Sequence, residues 1–201
     1  HMHRLRNNKK ETLILDGGTG EELFLRGVPD DRKIWSATAI VQPRYHSTLQ
    51  QVHASFVEAG ADAITTNSYG IVPGVGFSIP DIKQHVATAG RLARECVPKS
   101  TLVFGSLGPL VESYRADLIM AHKEGVAVYT EMSRALSPFV DCFLGETMSC
   151  YEESIQVLDA VQELDSTDVR PVMTSFTLDG QGNFRSGETV VNGMKRLLDF
   201  E

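Results

Sequence analysis

The chain lacks the features that mark several classes of protein. No apolar run approaches the ~20 residues needed to cross a bilayer, and no secretory leader opens the sequence as given, so the expected compartment is the cytoplasm and no membrane partner is expected. Lysine and arginine (19) are outnumbered by aspartate and glutamate (26), a formal net charge of −7, which argues against a nucleic-acid partner. The three cysteines, Cys96, Cys142 and Cys150, are odd in number and include no CxxC pair, so a disulfide framework is not expected. No GxGxxG or GxxxxGK[ST] follows an apolar run, which leaves nucleotide binding without support. No two histidines stand at metal-ligand spacing.

What is present is a repeated event: an apolar run ends in small or polar residues. Its first instance is Leu13-Ile14-Leu15-Asp16-Gly17-Gly18, a strand expected over Thr12 to Leu15 that stops at an acid and a glycine turn. Further strands are expected over Ala61 to Thr66, Thr101 to Phe104, Phe139 to Leu144 and Pro171 to Phe176. Helical periodicity lies between them. Tyr45, Leu49, Val52 and Phe56 share one face of a helix that Gly60 stops, and Ile82, Val86, Ala89 and Ala93 share another behind Asp81. Val126 to Leu136 follows, then a helix opened by a Ser149–Glu152 capping box with Ile155, Leu158 and Val161 on its buried face. Val190, Met194, Leu197 and Leu198 mark the last. Residues 1–11, with His1-Met2 and the basic stretch to Lys10, read as a tag scar and mobile leader, and Glu163 to Asp168 as a solvated loop.

A βα unit repeated five times, with short strands apolar on both faces, is an α/β chain with a parallel sheet. Open doubly wound sheets and (βα)8 barrels both accept such a series, and both bind ligands at the C-terminal ends of the strands. Polar residues at five successive strand ends, Asp16, Thr66-Asn67-Ser68, Ser106, Glu146 and Ser175, fit a barrel mouth better than one switch point. The fold expected is therefore a (βα)8 TIM-barrel type with about five of its units in this chain. Residues 12–201 would form the N-terminal part of that barrel domain. Five units cannot close a barrel, so a further C-terminal portion is expected, and the open edge predicts self-association.

Several segments, in order, resemble the homocysteine S-methyltransferase family: LDGGTGEELFLRG (Leu15 to Gly27), IWSATAI (Ile34 to Ile40), VHASFVEAGADAITTNSYG (Val52 to Gly70), GSLGP (Gly105 to Pro109), GETMSCYEE (Gly145 to Glu153) and SFTLDGQG (Ser175 to Gly182). The resemblance implies a (βα)8 barrel that transfers a methyl group to homocysteine, giving methionine. It also implies two small-molecule partners, homocysteine and a methyl donor. S-methylmethionine or S-adenosylmethionine is the expected donor class, with betaine or a folate–corrinoid system as the alternative.

The resemblance further implies that Asp16 and Glu146 hold the substrate ammonium group. Gly17, Gly18, Thr66, Asn67, Tyr69, Ser106 and Ser175 would complete the substrate pocket, the glycines by leaving room at the backbone. Family members carry zinc on three cysteines, one after the sixth strand and an adjacent pair in a Gly-Gly-Cys-Cys segment. Cys96, Cys142 and Cys150 match none of these positions, so no zinc is expected on this chain and methyl transfer by it is not expected. A relative that binds a ligand or partner without turnover is the competing reading. Trp35 is expected to be a buried loop anchor, and His46, His53, His85 and His122 solvated helix residues.

Overall fold

The structure, a computed structural model, describes residues 12–164 and 170–199. The expected leader over 1–11 and most of the loop ending at Asp168 lie outside the described residues. Four strands form one all-parallel sheet in chain order: β1 (Ala63–Thr65), β2 (Leu102–Leu107), β3 (Cys142–Met148) and β4 (Val172–Phe176). The helices are α1 (Thr19–Leu25), α2 (Thr38–Val41), α3 (His46–Glu58), α4 (Ile79–Glu95), α5 (His122–Leu136), α6 (Tyr151–Gln162) and α7 (Val190–Leu198). Parallel neighbours joined by helices leave both sheet faces to be covered, which is why the strands are apolar at consecutive positions.

Side-chain alternation sorts those strand residues into two layers. Ile64, Val103, Leu107 and Phe143 pack outward against Leu49 and Val52 of α3, Val86 and Ala89 of α4, Met132 and Leu136 of α5 and Val157 of α6. Ala63, Leu102, Phe104, Cys142 and Leu144 form a smaller inner cluster with Leu13, on the concave side. The chain is thus an arc of a (βα)8 barrel with its inner wall in place. At the two ends of the arc that wall is open: Leu15 is 49% and Met173 37% exposed.

Several elements differ from those the sequence predicts. The strand expected over Thr12 to Leu15 is a single parallel bridge from Leu15 to Ala63, so among the described residues the sheet has four strands and not five. That run pairs through few backbone hydrogen bonds, Ala63 N–H to Ile14 O and Asp16 N–H to Ala63 O among them, and on one side only. β2 and β3 run further than expected, to Leu107 and Met148, so Ser106 and Glu146 are the last inward residues of their strands rather than residues beyond them.

Helix starts also differ. Ser78, not Asp81, caps α4, in a reciprocal box with Asp81 at the third helical position. No such box opens α6: Cys150 is its cap residue, and the carboxylate that reaches back is Glu153, not Glu152. Its buried face is Glu153, Ser154, Gln156, Val157 and Ala160, with Ile155, Leu158 and Val161 only half-buried. In α7 only Gly193 is buried, and Met194 and Leu198 are exposed. His53 lies on the buried side of α3 with no exposure, and among the described residues neither ring nitrogen has a hydrogen-bond partner. Trp35 is 47% exposed, because a left-handed φ of 46° at a short 3-10 turn directs it out of the core.

Candidate active site at the barrel mouth

The C-terminal strand ends and the glycine turn after Leu15 enclose a cavity of about 530 Å3. Eight of the nine expected residues line it: Asp16, Gly17, Gly18, Thr66, Asn67, Tyr69, Glu146 and Ser175. The ninth, Ser106, is fully buried beneath it, and its hydroxyl donates to Glu146 Oε1.

Asp16 is fixed from one neighbour. The backbone N–H of Thr65 donates to Oδ2 at 2.7 Å and the Thr65 hydroxyl to Oδ1 at 3.1 Å. Despite these donors, burial pushes the Asp16 carboxyl above its ordinary value. Glu146 is raised as well, first by burial and further by the charge of Asp16, against the opposing hydrogen bond from Ser106. Two carboxylates therefore feel each other across the mouth. Among the described residues neither has a lysine, arginine or histidine in ion-pair contact. Buried like charges of this kind are stabilised by a cation brought from outside.

The other residues divide by what their polar atoms already do. Thr66 and Ser68 stitch β1 to β2: the Ser106 N–H donates to Thr66 Oγ1 at 2.9 Å, and the Ser68 hydroxyl to Ser106 O at 2.8 Å. Asn67 Nδ2 donates to Ser36 O at 2.8 Å, which ties the mouth to the segment before α2. The Tyr69 hydroxyl pairs with Ser113 Oγ at 2.6 Å, and the ring also borders a second cavity of about 340 Å3 that includes Trp35 and Glu112. A Cβ on Gly17 would stand 2.9 Å from the Phe56 ring, so that glycine permits packing onto α3; one on Gly18 would meet only Glu21 Cβ, at 3.8 Å. Sequence reasoning missed Thr65, Ser36 and Thr174, which also line the mouth. Thr65 had a signal, being the inward alternation partner of Ala63 beside the singled-out Thr66.

A family model described as homocysteine S-methyltransferase matches residues 13–201. The chain belongs to the homocysteine S-methyltransferase family. Among curated relatives, homocysteine S-methyltransferase 2 of Saccharomyces cerevisiae (strain ATCC 204508 / S288c) is 23% identical over 209 residues, which cover 92% of this chain and 63% of that protein. Homocysteine S-methyltransferase of Escherichia coli (strain K12) is 32% identical over 124 residues, 55% of this chain and 39% of that one. Homocysteine S-methyltransferase 1 of Zea mays is 33% identical over 86 residues, 41% and 26% respectively. The chain thus spans less than two thirds of the length of these relatives. The backbone matches the crystal structure of the homocysteine methyltransferase MmuM from Escherichia coli, metallated form, with a TM-score of 0.84 and 24% identity, over 100% of this chain and 75% of that one. That likeness carries the barrel-type fold.

Zinc, implied by the resemblance, does not fit the described residues of this homocysteine S-methyltransferase family chain. No group of three or more His, Cys, Asp or Glu side chains among them is arranged to hold a metal. Cys96 ends α4, Cys142 begins β3 and Cys150 caps α6, on three different elements. Burial pushes their thiols up to about 11, about 12 and about 11, the opposite of what a metal-binding thiolate needs.

Proposed function

We propose that the mouth is a homocysteine-binding site in which Asp16 and Glu146 clamp the substrate ammonium group. The observation that carries the reading is the pair of half-buried, mutually repelling carboxylates, with no cation in contact among the described residues. An ammonium between them would relieve both the desolvation and the repulsion, and a neutral thiol would gain nothing from either. Thr65 and Ser106 set the two carboxylates, while Asn67, Tyr69 and Ser175 line the remainder of the cavity, where the substrate's carboxylate and thiol would lie.

The reaction proposed for the whole protein is methyl transfer from a sulfonium donor to sulfur. The homocysteine thiol gives up its proton to solvent water and bonds the methyl carbon as the donor's C–S bond breaks, and the donor departs as a neutral thioether with that bond's electron pair. S-methylmethionine or S-adenosylmethionine suits the second cavity, whose Trp35, Tyr69 and Glu112 favour a positive sulfur. Since the described residues supply no metal-binding group, we propose that these 201 residues bind homocysteine without methylating it. The experiment is calorimetric titration with L-homocysteine, alongside metal content and methionine formation from either donor. Saturable binding that weakens in Glu146→Gln, with no methionine formed, is the expected result. Absence of binding sinks the clamp, and stoichiometric zinc with turnover sinks the non-catalytic reading.

A further inference from the structure

The clamp carboxylate Glu146 stands on an irregular piece of chain. Between the pairs Gly145↔Thr174 and Met148↔Phe176, β3 carries Glu146 and Thr147 against the single Ser175 of β4, an extra residue that bends the strand end. Thr147 is left-handed at φ 67°, an uncommon conformation for a β-branched residue, so its surroundings must hold it. Two amides of this turn have side-chain acceptors. Thr147 N–H donates to Ser175 Oγ at 3.2 Å from above, and Ser149 N–H donates to Glu153 Oε2 at 2.6 Å from below.

Glu153 is 4% exposed, on the first turn of α6. A buried carboxyl beneath an active-site strand end, with no ion pair among the described residues, is costly to keep. The hydroxyls of Ser149 and Ser154 beside it are buried and have no hydrogen-bond partner among the described residues. We propose that Glu153 is a positioning residue for Glu146: it holds the turn 147–150 through the Ser149 amide and so couples the stance of the clamp to its own protonation. The inference deepens the homocysteine-clamp reading and rests on it.

Charge decides the strength of the hold. An ionised carboxylate accepts from an N–H about twice as strongly as a neutral acceptor does. Burial pushes Glu153 up to about 7, against the lowering effect of the Ser149 amide, so the hold changes strength near neutral pH. The groups facing it stay neutral there. Tyr129 of α5, whose hydroxyl donates to Gly108 O at 2.9 Å, is raised well above the ordinary phenol value, and Cys150 to about 11. Glu152 on the same helix turn faces away, paired with Arg196 of α7 at 2.9 Å.

The test follows backbone amide shifts of the free chain from about pH 5.5 to 8.5, then L-homocysteine affinity over the same range, in the parent, Glu153→Gln and Glu146→Gln. The amides of Ser149 and Thr147 are expected to titrate with one shared midpoint near neutrality, and Glu153→Gln to abolish both titrations. Glu153→Gln is further expected to weaken homocysteine about fivefold at pH ~8 and to remove the parent's loss of affinity through neutrality. Titration of Ser149 without Thr147, or a Glu153→Gln profile that follows the parent's, overturns the positioning role. If homocysteine binds neither the parent nor the variants, the clamp fails, while the shared amide titration still decides whether Glu153 governs the turn. A merely structural Glu153 would shift the unfolding midpoint of its variant and leave the shape of the affinity profile alone.

Discussion

The two ends of β3 treat a buried carboxylate in opposite ways. At the N-terminal end Asp141, 2% exposed, accepts from the Val103 N–H at 3.0 Å and pairs with the Arg94 guanidinium at 3.1 Å. Arg94 also donates to Phe139 O and Thr101 O, so one cation closes the lower rim of β2 and β3. At the C-terminal end, Glu146 has a serine donor and a like charge for company, and burial raises it. The lower acid is neutralised by the fold, and the upper one is left for a ligand. In barrels, stability and chemistry are divided between the same two faces.

The largest effect is expected at the lower rim. Arg94→Met keeps much of the stem's packing and takes a guanidinium from beside buried Asp141, a change expected to cost about 3 kcal/mol or more of unfolding free energy. Urea denaturation measures it. A loss under about 1 kcal/mol would mean that the lower rim is as open to water as the mouth, and the contrast would fall.

Next in size is a pair of opposed pH effects from two buried groups that meet no counter-charge among the described residues. Glu153 is raised from 4.5 to about 7, so its folded form binds the proton more tightly than the unfolded chain. Its stabilising contribution is full below pH ~4.5 and is lost as pH rises to ~7, on the order of 3 kcal/mol in all. His53 is lowered from 6.5 to about 4 by burial, so its contribution is full above pH ~6.5 and is lost as pH falls to ~4, by a similar amount. In the parent the two slopes oppose each other between about pH 4.5 and 6.5. Relative to the parent, Glu153→Gln should make stability rise more steeply with pH in that window, and His53→Leu should make it fall. Parallel curves for all three proteins would show that neither group is dry.

At the mouth the expected order of effects reverses. Glu146→Gln keeps an acceptor for Ser106 and removes one of two repelling charges, so stability at neutral pH should hold or rise by a few tenths of a kcal/mol. L-homocysteine affinity should nevertheless fall about tenfold to a hundredfold, read by calorimetry. A variant that loses both stability and affinity would make Glu146 a structural acid like Asp141.

How much of this was legible in the sequence follows the same division. Strand-end acids and apolar runs announce themselves locally, and so did Gly60, whose φ of 107° needs no side chain. The phase of α6 did not. Its apolar residues span a wide arc, and the bulge at Glu146–Thr147 with the Ser149–Glu153 bond sets which side faces the strands, burying Glu153 where Ile155 was expected. Burial of His53 was hidden for a related reason: its position beside Val52 is inward only once α3 is seated on its neighbours. Whether Asp141 or Glu146 is the structural acid depends on Arg94, 47 residues before the first, and no local pattern reports such a pairing.

The smallest effect concerns the mouth's own scaffolding. Ser175 Oγ is the acceptor for the Thr147 N–H at 3.2 Å, on a β4 residue that is itself exposed. With water able to replace the hydroxyl, Ser175→Ala should cost only about 0.5 kcal/mol of stability. The left-handed Thr147 would lose one of its restraints, however, and the carboxylate beside it would sample a wider arc. An affinity loss of about threefold with stability nearly unchanged is therefore expected, and calorimetry paired with thermal unfolding separates the two. Equal, proportionate losses would mean that the turn is held by the sheet as a whole; affinity lost without stability would mean that the mouth, unlike the lower rim, is positioned by a few weak bonds that folding hardly needs.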